Sequence, residues 1–482
     1  MADAPVFTLR AIELFERPVR LRMPFRFGVV TLTECPQAFA RAQVVLPDGR
    51  TAWGAAAELM APKWFDKNLA LSNEDNFAQL RTVLRMARDA YLSDARPATA
   101  FGHFARHHDA HAQAAAREGF NPLLASYGPA LLDRAVLDAL CRALGMSFYE
   151  AMRCNLPGID ASHPQFAPMP VAEFLAQLPP PAATIHARHT VGLVDAITRA
   201  DPRPHPGPPP EGEGGNRVDD GLPETLEEVV QAYGHHWFKL KVGGKVDADL
   251  DRLQAIAAVL DRSPDPYFAS LDGNEQYEDA QGVQELVRGI QGRPALRRLW
   301  DSILFVEQPI ARKLALQVDL RAADLGKPVI VDESDGELES FVQARARGYA
   351  GISSKTCKGF YKSVLNATRC AVWNTAEGGA RYFMSAEDLT TQAGLSVQQD
   401  LALVNLLGIT HVERNGHHYV DGMAALPQAE QEAFLRAHPD LYERSHGAVR
   451  LRIRDGEITL ASLAAPGFAS GALPDFAAMR AL

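Results

Sequence analysis

The stretch HWFKLKVGGKVDADLDRLQAIAAVLDRSPDPYFASLDG, residues 236–273, decides the fold. Two short β-rich runs, HWFKLKV (236–242) and YFASLDG (267–273), flank the amphipathic run DADLDRLQAIAAVLDRS (247–263). Such alternation of strand and helix predicts parallel strands joined by right-handed crossovers. The rhythm continues in both directions, and it predicts further strands at 183–193, 303–309, 327–334, 349–355, 381–388 and 408–414. Eight such units predict an α/β fold with a closed (β/α)8 barrel rather than an open sheet.

The chain outside this barrel follows other patterns. FTLRAIELFERPVRL (7–21) alternates apolar and polar residues, and Pro47-Asp48-Gly49 marks a hairpin turn. PALLDRAVLDALCRAL (129–144) has helical spacing. We therefore predict an α+β capping domain over 1–165, the barrel over 166–435, and a segment 436–482 that pairs back onto the capping domain. Within the barrel, residues 201–223 contain seven prolines and five glycines, which predicts a poorly ordered insertion.

The composition excludes several classes of protein. The 482 residues carry a formal net charge of −10, whereas a nucleic-acid-binding surface requires a basic face. The five cysteines are scattered without CxxC spacing, which argues against disulfides and favours a reducing compartment. No apolar run reaches the length of about 18 residues that a membrane helix needs. We expect a cytoplasmic protein that binds neither nucleic acid nor membrane.

Ionisable side chains lie at the ends of five apolar strands. In a barrel the carboxyl ends of all strands meet at one mouth, so these residues predict a single site. They are Lys239 and Lys241, Asp272 with the neighbouring Asn274, Glu307, Asp332 and Glu333, and Lys355 and Lys358.

Three of these residues suggest a metal site. Asp272, Glu307 and Asp332 are 35 and 25 residues apart, which places them on three consecutive strands. Three carboxylates at close range repel one another unless a cation holds them. A ligand set of oxygens alone predicts Mg²⁺, with Mn²⁺ as a substitute. Taken singly, each carboxylate could also be a helix N-cap.

The lysines suggest acid/base chemistry. Lys239 and Lys241 are two residues apart on a strand and therefore point to the same face. Two neighbouring ammonium groups lower each other's pKa, which prepares one of them to act as a base. Lys358 follows the sixth strand and is expected to face Lys241 across the metal.

The ordered motifs KLK, LDGN, VEQP, VDES and KTCK resemble those of the enolase superfamily, in its mandelate racemase/muconate lactonizing enzyme branch. This resemblance implies a capping domain on a modified TIM barrel and an essential Mg²⁺. It also implies that the protein removes a proton next to a carboxylate through a metal-stabilised enediolate. The small carboxylic acid would then undergo racemisation or epimerisation, cycloisomerisation, or β-elimination. A homo-oligomer is expected.

Carried over residue by residue, the resemblance gives each position a role. Asp272, Glu307 and Asp332 would bind the metal. Lys241 and Lys358 would be the acid/base pair, with Lys239 tuning Lys241 and Glu333 pairing with Lys358. The paired glycines that usually follow the sixth-strand lysine are absent here, which leaves Lys355 as a second candidate.

Substrate contacts are expected from both domains. The family selects substrates with loops of the capping domain, where Phe25 and Arg26 suit an acid with an apolar part. Barrel candidates are Asn274, Lys355 and Glu387, and Asp388 is an alternative to Glu387. The seventh strand lacks the histidine of the mandelate-racemase-like branch.

Other functions stay open at this point. One is an acid-sugar dehydratase of the same superfamily, and another is a non-catalytic barrel that serves as a binding protein. A metal-dependent hydrolase would need histidine ligands near strand ends, and only HARH (186–189) offers them early in the barrel. In a regular strand His186 and His189 would point to opposite faces.

Overall fold

Three long antiparallel strands begin the fold. The computed structural model describes residues 4–27, 30–201 and 217–482. The first strands are β1 (Thr8–Phe27), β2 (Val30–Val45) and β3 (Thr51–Leu59). The predicted turn at 47–49 joins β2 to β3, and the Leu46 amide donates to the Arg50 carbonyl at 2.9 Å. Gly49 has a φ of 86° there, which favours glycine because it lacks a Cβ atom.

Five helices lie between β3 and the barrel. They are α1 (Asn73–Ser93), α2 (Ala100–Arg117), α3 (Pro122–Leu144), α4 (Phe148–Arg153) and α5 (Val171–Gln177). The side chain of Asn121 caps the start of α3, and Gly145 ends it in the left-handed conformation. A Cβ atom on Gly54 of β3 would lie 2.0 Å from the Ala139 amide nitrogen, so glycine allows α3 to pack closely on the sheet.

The predicted barrel is confirmed. Its eight parallel strands pair in sequence order, and the last strand pairs with the first to close the barrel. The strands are β4 (Thr184–Val191), β5 (Trp237–Lys241), β6 (Phe268–Asp272), β7 (Ile303–Glu307), β8 (Val329–Val331), β9 (Gly351–Ser354), β10 (Phe383–Ala386) and β11 (His411–Arg414).

Helices follow the barrel strands as the alternation predicts. They are α6 (Leu226–Tyr233), α7 (Val246–Leu260), α8 (Ala280–Gly292), α9 (Arg297–Ser302), α10 (Arg312–Ala315), α11 (Ser340–Ala346), α12 (Phe360–Glu377), α13 (Leu395–Leu406) and α14 (Gly416–Tyr419). Within the described residues, no helix is both long and apolar enough to cross a membrane.

The C-terminal segment returns to the capping domain. After the last barrel strand and α14, the chain forms α15 (Gln428–Ala437), β12 (Tyr442–Ser445), β13 (Ala448–Leu451), β14 (Glu457–Thr459) and β15 (Arg480–Ala481). β15 pairs with β1 through Phe15 and Ala481. The domain limits 1–165, 166–435 and 436–482 remain our proposal. Most of the 201–223 insertion, residues 202–216, lies outside the described residues.

A buried carboxyl group in α3 is expected to make the free energy of unfolding depend on pH. Asp133 accepts a hydrogen bond from the Tyr91 hydroxyl at 2.6 Å, and burial raises its pKa from 3.8 to about 7. The native state then holds a proton that the unfolded chain has already released. The free energy of unfolding should therefore fall as the pH rises from about 4 to 7, by at most about 4 kcal/mol.

We expect Asp133→Asn to flatten this dependence, because an amide has no proton to release. Thermal midpoints of wild type and variant at pH 5 and pH 8 measure the effect. Asp89→Asn, at an exposed position of α1, is the control and should follow the wild type. An unchanged pH dependence in Asp133→Asn would contradict the assignment.

Candidate active site

The carboxyl ends of neighbouring barrel strands carry the predicted polar residues. Lys241, Asp272 and Glu307 are the last residues of β5, β6 and β7. Asp332 follows β8 directly, and Lys355 follows β9. All five side chains are buried, although each belongs to a residue type that is seldom fully buried without a partner. Their charges must therefore be compensated within the barrel.

Lys239 lies at the centre of a group of four carboxylates and balances part of their negative charge. Its Nζ lies 2.9 Å from Asp272 Oδ2, 2.8 Å from Glu307 Oε2, 2.7 Å from Glu387 Oε2 and 3.0 Å from Glu413 Oε2. Burial alone would lower the pKa of Lys239, but these carboxylates raise it well above its usual value. The four carboxylates therefore favour the charged form of Lys239, which suits a counter-ion.

Asp332 is compensated by a different pair of lysines. Lys355 Nζ donates to Asp332 Oδ2 at 2.8 Å, and Lys358 Nζ lies 3.4 Å from Asp332 Oδ1. Burial opposes ionisation of Asp332, yet the two ammonium groups hold its pKa well below the usual range. The structure thus brings Asp272 and Glu307 together around Lys239, whereas Asp332 contacts Lys355 and Lys358.

The donor set of Asp272, Glu307 and Asp332 fits a hard divalent cation. Glu307 Oε2 is buried, and no group in the described part of the chain donates a hydrogen bond to it, despite its closeness to Lys239. Burial and the neighbouring carboxylates of Asp272 and Glu387 raise the pKa of Glu307 well above its usual value. Mg²⁺ prefers such oxygen ligands and would supply the missing positive charge.

A small cavity lies between the barrel mouth and the capping domain. Its volume is about 30 Å³, which is room for about one water molecule. The Lys355 ammonium lies 4.4 Å from the centroid of the Trp64 ring, so the capping domain closes over the lysine. The cavity lining includes Phe25, Phe27, Trp64, Lys239, Lys241, Asn274, Lys355, Asp388 and Glu413.

Lys358 does not reach this cavity. It ends a 3₁₀ turn (Thr356–Lys358), and its Nζ donates to the carbonyl and hydroxyl oxygens of Ser353, both at 2.8 Å. It lies 3.0 Å from Asp335 and lines a separate cavity of about 410 Å³ beside α2 and α3. The expectation that Lys358 faces Lys241 is therefore corrected, because Lys358 lines a different cavity from Lys241, although its Nζ still lies 3.4 Å from Asp332 Oδ1.

Glu333 also has a different partner from the one expected. Its Oε1 accepts a hydrogen bond from Asn274 Nδ2 at 3.0 Å, whereas Lys358 pairs with Asp335 and Asp332. Burial, with Asp332 nearby, raises the pKa of Glu333 to about 7. Asn274 Oδ1 is buried and finds no partner among the described residues, so Asn274 keeps a free acceptor at the cavity.

The capping domain supplies aromatic side chains, but not the expected guanidinium. Phe25 and Phe27 line the cavity, and Phe25 stacks on Tyr419 with ring centroids 4.2 Å apart. Arg26 is exposed, because alternate residues of β1 point to opposite faces. Arg26 therefore does not line this cavity.

Glu387 does not line this cavity, although it directly follows β10. It forms ion pairs with Lys239 and with the buried Arg188. The alternative residue, Asp388, does line the cavity. Glu387 is thus placed to balance charge, while Asp388 is placed where a substrate contact was expected.

Two buried residues of the site were missed in the sequence. Glu413 on β11 contacts Lys239, and its Oε1 accepts a hydrogen bond from Thr190 at 2.5 Å. Glu413 is the second-last residue of the run GITHVER, so the search for ionisable residues at strand ends could have identified it. Arg188 gave no comparable signal, because it lies in the middle of its strand.

Comparisons with known proteins support this architecture. Residues 221–470, just over half of the chain, match the family model described as enolase C-terminal domain-like. No curated protein matches the sequence. Solved structures match almost the whole chain at low identity, which establishes a shared fold.

Three of these solved structures show which enzymes share the fold. The muconate lactonizing enzyme from Mucobacterium smegmatis, complexed with muconolactone, is 19% identical with a TM-score of 0.58, and the match covers 98% of this chain and 99% of that one. The dipeptide epimerase from Enterococcus faecalis V583, complexed with Mg and L-Leu-L-Tyr, is 13% identical with a TM-score of 0.59, and the match covers 96% of this chain and 99% of that one. The L-Ala-D/L-Glu epimerase from Bacillus subtilis is 16% identical with a TM-score of 0.54, and the match covers 97% of this chain and 99% of that one.

Proposed function

The chain belongs to the mandelate racemase/muconate lactonizing enzyme branch of the enolase superfamily, and on that premise we propose that it removes the proton α to the carboxylate of a small carboxylic acid. It is an isomerase or lyase, as members of this superfamily are. The observation that carries the proposal is that Lys241 and Lys355 line one small cavity while each contacts a buried carboxylate, Asp272 and Asp332 respectively. A homo-oligomeric state and a cytoplasmic location remain predictions.

Enzymes of this superfamily generally use Mg²⁺, and we assign the ion to Asp272, Glu307 and Asp332. When bound, Mg²⁺ would stabilise the negative charge that develops on the substrate carboxylate. Glu387 and Glu413 remain paired with Lys239 in this assignment. Glu387 also pairs with Arg188, so two cations balance these two glutamates and the metal does not have to balance them.

We assign the proton transfer to Lys241 and Lys355. Lys241 Nζ contacts Asp272 Oδ2 at 2.5 Å, and Lys355 contacts Asp332, so the two amines approach the cavity from different strands. Burial would lower the pKa of Lys355, but Asp332 raises it above its usual value, which suits a proton donor. Lys241 would then remove the proton and Lys355 would return one.

Two facing amines support racemisation or epimerisation most directly. Removal on one face and return on the other inverts the α-carbon without any further group. Cycloisomerisation and β-elimination would begin with the same proton removal. The aromatic lining by Phe25, Phe27 and Trp64 favours an acid with an apolar part. Dipeptides, which appear in an epimerase of similar fold, are the first candidates to test, and the capping-domain side chains would have to move to admit them, because the cavity has room for about one water molecule.

A screen of carboxylic acids in D₂O tests this proposal. We expect at least one small acid to exchange its α-proton for deuterium in the presence of Mg²⁺, as monitored by NMR or mass spectrometry. A chelator that removes Mg²⁺ should abolish this exchange. The control is the double variant Lys241→Ala/Lys355→Ala, which should not exchange the proton. Exchange by the double variant at the wild-type rate would refute the proposal.

A further inference from the structure

Three histidines from distant parts of the chain meet outside the barrel wall. His189 lies on β4, His235 lies in the loop before β5, and His417 lies in α14 after β11. One ring nitrogen of each lies within 4.8 Å of the corresponding atoms of the other two. The ring centroids are 5.3 to 5.7 Å apart. This spacing allows all three imidazoles to contact one small ion.

Each of the three rings has at least one nitrogen without a hydrogen-bond partner among the described residues. His189 Nδ1, His235 Nε2 and both nitrogens of His417 are buried, and none has a hydrogen-bond partner in the described ranges. His189 and His235 are only 2% and 3% exposed. Burying a polar atom without a hydrogen-bond partner costs free energy. Four such nitrogens in three neighbouring rings therefore indicate that an ion or a water molecule binds between them.

The orientation of His235 points to a metal ion as this occupant. Its Nδ1 lies 2.9 Å from the Ala187 carbonyl oxygen. A carbonyl can only accept, so Nδ1 carries the hydrogen and Nε2 presents its lone pair to the cluster. Metal-binding histidines are commonly fixed in this way, with the second nitrogen donating to a carbonyl or carboxylate.

We propose that His189, His235 and His417 form a transition-metal site that binds Zn²⁺. Three neutral imidazoles are a familiar ligand set for this ion, with a fourth position left for water. The site is chemically distinct from the carboxylates at the barrel mouth, whose oxygens favour Mg²⁺. It also lies on the other face of β4, because the neighbouring Thr190 points inward to Glu413.

The position of the site indicates its role. Because β11 pairs with β4, the three ligands bridge the seam at which the barrel closes. An ion here would link β4, the entry to β5 and the segment after β11. We expect it to stabilise the barrel without taking part in proton transfer, so the proposal does not depend on the proposed function.

Metal analysis of the purified full-length chain tests the site. The protein is stripped with a chelator, saturated with Mg²⁺ to fill the carboxylate site, and then equilibrated with Zn²⁺. We expect about one equivalent of bound Zn²⁺ and a higher thermal midpoint. Co²⁺ in place of Zn²⁺ should give the visible absorption of a tetrahedral site.

Variants then identify the ligands. His189→Gln and His417→Gln should each lose the equivalent of Zn²⁺ and the rise in thermal midpoint. His186→Gln is the matched control, because His186 lies on the same strand but faces Glu457 at 3.4 Å. Glu307→Gln should also keep its Zn²⁺, which separates this site from the carboxylate site.

Two results would overturn the proposal. One is a wild-type chain that binds no Zn²⁺ in the presence of Mg²⁺, which would mean that the histidines hold water only. The other is a folded His189→Gln or His417→Gln variant that binds Zn²⁺ as the wild type does. The wild-type measurement decides the matter even if the variants fail to fold.

Discussion

Lys355→Met is expected to reduce α-proton exchange by about 10²–10⁴-fold, while Lys358→Met keeps most of the activity. Lys355 lines the small cavity at the barrel mouth, donates a hydrogen bond to Asp332 and lies against the Trp64 ring. Lys358 is directed to Ser353 and Asp335 and lines a different cavity. Methionine keeps the length of the side chain and removes only the amine, so the two variants form a matched pair.

The measurement is exchange of the α-proton in D₂O with each enantiomer of a substrate found in the screen. Lys355→Met should lose exchange from one enantiomer, and Lys241→Met should lose it from the other, because each amine serves one face of the α-carbon. Mg²⁺ binding should persist in both. Full exchange by Lys355→Met together with an inactive Lys358→Met would restore the assignment that the sequence favoured.

Glu307→Gln is expected to weaken Mg²⁺ binding by more than about 10²-fold and to abolish turnover. The amide keeps the shape of the carboxyl group but not its charge, and Glu307 is fully buried at the end of β7. Even loss of a partner behind a metal ligand costs about 10–100-fold in affinity, so loss of a ligand itself should cost more.

Calorimetric titration with Mg²⁺ measures this effect, and circular dichroism checks the fold. The control is Glu387→Gln, which also removes a carboxylate from Lys239 but which we do not assign to the metal. It should retain most of its Mg²⁺ affinity. Equal loss of affinity in both variants would show that the charge around Lys239, and not ligation by Glu307, determines metal binding.

The sequence by itself determined the barrel and the composition of its mouth. Apolar strands that end in Asp272, Glu307 or Lys241 are local patterns, and each is visible within a few residues. Strand periodicity also predicted that Lys239 and Lys241 share a face. These features follow from the geometry of a single strand and from the rule that parallel strands end together, so no knowledge of distant contacts was needed.

Only the tertiary structure decided which way the loop residues point. Lys355 and Lys358 are three residues apart, and a 3₁₀ turn sends one to the cavity and the other away from it. The histidine cluster joins positions 189, 235 and 417, which no local pattern connects. Such contacts depend on how whole elements pack, because side-chain direction in a loop is fixed by its neighbours in space and not by its neighbours in sequence.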